Sequence, residues 1–77
     1  MFRKFVKTDV VTVEDRQLQV RYFELRTTRG QQRYSAEILL GAGDRIILDD
    51  DSLINLEVRA AGLAPATLYS RHLARTA

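Results

Sequence analysis

The chain has no cysteine and no tryptophan, and only one proline, one methionine and one histidine in 77 residues. Without cysteine there is no disulfide framework and no thiolate metal site, which fits a reducing compartment. No apolar run approaches the ~20 residues that a membrane-spanning helix needs. Met1-Phe2-Arg3-Lys4-Phe5-Val6-Lys7 opens with positive charge, but Lys7 and Asp9 interrupt any apolar stretch that a signal peptide would require. The expectation is therefore a soluble, cytoplasmic protein with no membrane partner.

The motifs of common chemistries are missing as well. Gly41-Ala42-Gly43 has Ile46 where a dinucleotide fingerprint would place its third glycine, and no Gly-Lys-Ser/Thr ending follows. It reads as a turn. Asp49-Asp50-Asp51 offers consecutive carboxylates, which splay apart, instead of the spaced oxygen ligands and distal Glu of a calcium loop. His72 and Ser70 are two apart on a helical segment and so point away from each other. His72 reads as a partly buried packing residue. No RNP-type aromatic motif and no zinc-ligand spacing occurs. No enzymatic activity, metal, cofactor or small-molecule ligand is inferred.

What the chain does have is alternation. Val11 and Val13, then Leu18, Val20 and Tyr22, then Tyr34, Ala36, Ile38 and Leu40 recur at every second position, and Ile46-Ile47-Leu48 is a short apolar run. Period two with β-branched and aromatic residues predicts half-buried strands, at about 3–13, 18–27, 32–40 and 45–48. The intervening gaps (Glu14–Gln17, Thr28–Gln31 and Gly41–Asp44) are too short for parallel crossovers, so the sheet should be an antiparallel meander. Phe23 and Leu25 fall out of phase with Leu18, Val20 and Tyr22. A β-bulge near Tyr22-Phe23 is the preferred reading, since it would bring them back to one face; the alternative is that both faces are covered at different points along the strand. The central hairpin admits two registers: an Arg29-Gly30 turn sets Arg26 opposite Arg33, and a loop at 29–32 sets Glu24 opposite Glu37. Each contains an unfavourable like-charge pair.

From Asp49 onwards the pattern becomes helical. Asp50 or Asp51 can cap a helix beginning near Leu53, and Gly62 supplies a left-handed stop. Pro65 suits the first turn of a second helix running to about Ala74. The fold class is thus α+β in a single domain, 1–77: an antiparallel meander of about four strands, then two short C-terminal helices packed on one face.

The first helix carries more apolar surface than one sheet can cover. At about 100° per residue, Leu53, Ile54, Leu56, Val58, Ala60, Ala61 and Leu63 spread over about 220° of the wheel, against the ~100° of an ordinary surface helix. Glu57 falls inside this arc, where it would reach solvent at a seam, pair with a sheet arginine, or serve a pocket. The leading expectation is a non-enzymatic interaction or regulatory module, a homodimer or small adaptor, using Ile54, Val58, Leu68, Tyr69 and Leu73.

The charge distribution raises an alternative. Residues 1–35 hold eight Lys/Arg against four acids, whereas residues 36–64 hold two against six. A basic front can present Arg26, Arg29, Arg33, Arg21 and Lys4 to the phosphates of RNA or DNA. Arg26 and Arg33 share their strands' polar face with Glu24 and Glu37, as a solvated mixed surface would.

Overall fold

The computed structural model describes residues 2–76 and shows four strands followed by one helix: β1 (Phe2–Val13), β2 (Arg16–Arg26), β3 (Gln32–Gly41), β4 (Asp44–Asp50) and α1 (Leu53–Thr76). The strands form one antiparallel sheet in the order β1-β2-β3-β4, a meander, and the class is α+β as the alternation and short gaps imply.

Three connections set the registers. β1 and β2 meet through Glu14-Asp15, with Glu14 in the left-handed region at φ 56°. β3 and β4 meet through Ala42-Gly43, where Gly43 supplies φ 72° without a Cβ penalty. The central hairpin adopts neither expected register. Arg26 stands opposite Gln32, so residues 27–31 form the loop, closed by Thr27 N–H to the Gln31 carbonyl and Gly30 N–H to the Thr27 carbonyl. This choice avoids both like-charge pairs and sets Arg21 across from Glu37.

The bulge also lies elsewhere. β2 pairs regularly with β3 through Tyr22 and Phe23; the register shifts instead in β1, between Phe5 and Lys7, and in the β3–β4 pairing, between Leu39 and Gly41. Phe23 and Leu25 therefore keep their own phase and face away from Leu18, Val20 and Tyr22. The sheet has two partly apolar faces, and only one of them meets the helix.

That covered face holds the core: Leu18, Val20 and Tyr22 from β2, Ala36, Ile38 and Leu40 from β3, and Leu56, Ala60 and Ala64 from α1. The helical trio recurs every four residues, so a single narrow stripe touches the sheet. Ala60 and Ala64 are small, and Tyr22 stands opposite Ala36 in the ladder, leaving room for its ring. Val11, Val13, Ile46, Leu48, Leu53 and Leu68 pack around this centre.

The helix starts as the sequence suggests but through a different residue. Ser52 is the cap: its Oγ accepts the Asn55 N–H and its carbonyl accepts the Leu56 N–H. Asp50 acts one step earlier, accepting the Ser52 N–H and pairing with Arg59, and that backbone bond is the main cause holding its carboxyl below the ordinary range.

The expected second helix does not exist as a separate element. α1 runs unbroken through Gly62 and Pro65. Gly62 does not adopt positive φ, and Ala64 and Leu68 extend the buried stripe begun by Leu56 and Ala60. Continuing that stripe across the sheet outweighs the local stop signal. Pro65 cannot donate to the Ala61 carbonyl, but both residues are exposed, so water can satisfy that oxygen.

Candidate functional site

The outer side of α1 carries the helix's largest exposed apolar side chains. Its exposed large apolar residues include Ile54 at 73%, Val58 at 68%, Tyr69 at 64% and Leu73 at 48% relative exposure. With about 100° per residue, these four fall within about 100° of one another, roughly opposite the buried stripe. Ala61, Gly62 and Pro65 lie between them on the same side, and Asn55 and His72 share it near the two ends. Among the described residues from 54 to 73, this stripe carries no Lys, Arg, Asp or Glu.

Four of the five expected interaction residues, Ile54, Val58, Tyr69 and Leu73, are thus brought together on one exposed surface. Leu68 is not among them, because it turns inward and packs against the core. His72 is exposed instead of partly buried. Glu57, Arg59 and Arg71 lie off the stripe and make ion pairs within the chain. Glu57, for which a solvent seam, a sheet arginine and a pocket are the three readings from sequence, pairs with a sheet lysine, Lys7 of β1, and Lys7 also reaches Asp9 at 3.3 Å. These bonds, that to Glu57 foremost, raise the Lys7 pKa, and burial raises that of Tyr22, over whose ring the Lys7 Nζ sits at 5.5 Å. Arg71 pairs with Asp44 at 3.2 Å.

The five basic residues expected to contact nucleic acid do not share a surface. Arg21 and Arg33 are on the uncovered sheet face by strand parity, Arg33 bound to Asp49 at 3.1 Å. Lys4 and Arg26 alternate onto the opposite face, with Lys4 across from Glu24. Arg29 lies in the loop.

Two further features were not anticipated. On the uncovered sheet face, Arg3 lies over the Phe23 ring at 3.7 Å and donates to Glu37 at 2.9 Å, while Arg45 donates to the other Glu37 oxygen at 2.9 Å. Phe5 meets Phe23 edge-on, with centroids 5.8 Å apart. The two guanidiniums cover Glu37 so well that it is only 5% exposed, although no helix lies above it. The sequence signal for this cluster is the phase of Phe23 and Leu25, which sets them on the face opposite Leu18, Val20 and Tyr22. The second feature is a groove of about 770 Å³ between the β1–β2 turn and the C-terminal half of α1, lined by Val13, Arg16, Leu40, Leu68 and Tyr69 among others. Arg16 spans part of it to the Leu40 carbonyl at 3.4 Å, and the Arg71–Asp44 pair borders it.

No helix is long and apolar enough to cross a membrane among the described residues. Comparison with protein-family models, curated proteins and solved structures finds no match.

Proposed function

We propose that this chain is a non-enzymatic interaction module that self-associates through the outer face of α1. The observation that carries the reading is the uncharged stripe holding Ile54, Val58, Tyr69 and Leu73. Fully burying one such side chain contributes about 1.5–3 kcal/mol, and the four keep between 48% and 73% of their surface exposed in the single chain. The uncovered sheet face offers less to an apolar partner, since its centre is closed by the Arg3–Glu37–Arg45 cluster. The nucleic-acid alternative gains no support from the geometry, because its five residues divide between two faces and a loop.

Sedimentation equilibrium from about 10 to about 500 µM tests the reading, a range suited to an interface at the small end of the stable class. The mass should rise from the 8.8 kDa of one chain towards twice that value. Val58→Glu should return it to a single chain, whereas Val10→Glu, an exposed position on the uncovered sheet face, should leave it unchanged. A mass of 8.8 kDa throughout would overturn the proposal, as would disruption by Val10→Glu alone.

A further inference from the structure

The stripe is not only apolar but self-complementary when reversed. Ile54 and Leu73 lie equally far from the midpoint between Leu63 and Ala64, and so do Asn55 and His72, Val58 and Tyr69, Ala61 and Ala66, and Gly62 and Pro65. Resting on the self-association proposed above, we infer that the occupant of this face is a second copy whose α1 runs antiparallel, with a two-fold axis passing beside the Leu63-Ala64 peptide.

In this arrangement every layer matches. Ile54 packs on Leu73 and the smaller Val58 on the larger Tyr69, at both ends, by symmetry. An isologous interface requires such reciprocity: if residue i meets residue j, then j must meet i. The polar members Asn55 and His72 face each other instead of an apolar neighbour. Small residues occupy the middle, where an added Cβ at Gly62 would have nothing within 4 Å from its own chain, so the second backbone has space to approach. A parallel pairing would stack Tyr69 on Tyr69 and align the two helix dipoles, whereas antiparallel helices oppose them favourably.

The area is adequate for a second copy. At their observed exposures the four large residues offer roughly 500 Å² per copy, so with the small residues the total approaches the ~1,200 Å² at which stable interfaces begin. Because the outer stripe lies roughly opposite the buried one, the layers of the dimer run sheet, helix, helix, sheet.

The absence of native cysteine permits a direct test. Asp51→Cys, exposed and just before the helix, takes one spin label per chain. The antiparallel pairing separates the two labels by about 38 Å along the helix axes at 1.5 Å per residue, and a parallel pairing brings them within about 20 Å. Pulsed dipolar spectroscopy of the labelled full chain should show the long distance, and adding Val58→Glu should abolish it. A short distance would overturn the antiparallel geometry while leaving self-association intact. So would a long distance that survives Val58→Glu, since the contact would then lie elsewhere. Loss of any dipolar signal together with a single-chain sedimentation mass would remove both proposals.

Discussion

Gly62→Ala separates one helix from two by the sign of its effect. In the structure Gly62 is an interior helical residue without positive φ, and a Cβ there meets no atom within 4 Å. The substitution removes the backbone freedom that glycine restores to the unfolded chain and adds no clash. Alanine is favoured over glycine in a helix interior by about 0.8–1.0 kcal/mol. If Gly62 were instead a left-handed stop, alanine would bring strain and the sign would reverse. With a urea slope of roughly 1 kcal/mol/M for a chain of this size, the midpoint should rise by about 1 M. The corresponding Tm increase is about 4–8 °C. Far-UV circular dichroism at about 1 µM keeps self-association from contributing to the result. Pro65→Ala is an independent companion: it should stabilise an unbroken helix and destabilise one that begins at Pro65. A lowered or unchanged midpoint for Gly62→Ala would refute the continuous helix.

Leu56→Ala, at a residue with no exposed surface on the helix–sheet seam, should cost about 2–5 kcal/mol in the same unfolding experiment, and a loss below about 1 kcal/mol would contradict the packing described. Arg3→Ala should cost about 1–2 kcal/mol by uncovering Phe23 and removing one partner of Glu37; Arg3→Lys should recover little of it, because only the planar guanidinium both stacks and donates. Alkaline pH should weaken the fold through two groups acting in the same direction. Lys7 has its folded pKa raised above 10.5 by Glu57 and then Asp9, so its contribution is complete below that value and is lost as pH rises through the folded pKa; Tyr22, raised above 10.0 by burial, releases its proton more readily when unfolded. Urea midpoints should therefore fall above about pH 10, less steeply in Lys7→Met, and a flat profile to pH 12 would contradict the Lys7–Glu57 contact.

The sheet was legible because strand periodicity is a local property carried by particular residues. Leu18, Val20 and Tyr22 alternate without interruption, and the three short gaps leave no topology but a meander. What could not be read depends on partners far apart in sequence. The bulge lies in β1 and sets Lys7 on the helix side, where it meets Glu57, 50 positions later in the chain. The hairpin register places Arg21 across from Glu37 and keeps like charges from facing each other, which the loop residues alone do not specify. Gly62 and Pro65 are sound local signals for a break, but Leu56, Ala60, Ala64 and Leu68 need one rigid line to cover the sheet. Of the expected interaction residues, Leu68 packs against the core, because the unbroken helix carries the buried stripe on to it. The cluster around Glu37 is hidden from local pattern because Arg3, Phe23, Glu37 and Arg45 come from four different strands.

The interior of α1 contains a cost that the single chain does not explain. Gly62 and Pro65 together make the helix about 4 kcal/mol less favourable than alanine would at both positions, by intrinsic propensity. The whole chain has a stability of only about 4–12 kcal/mol at the usual range per residue. Neither residue serves the core, since both are exposed and the buried stripe passes through Ala60 and Ala64 instead. No turn requires them, because the helix does not turn. They do occupy the midpoint of the reversed pattern on the outer face, where two backbones in contact need minimal side chains. On that reasoning Gly62→Ala should have opposite effects at two concentrations. It should raise the urea midpoint of the isolated chain at about 1 µM while weakening dimerisation several-fold, because a methyl at the crossing keeps the helices apart. Stabilisation with unchanged dimerisation would leave the glycine without a role in the interface and would count against the two-fold axis at this position.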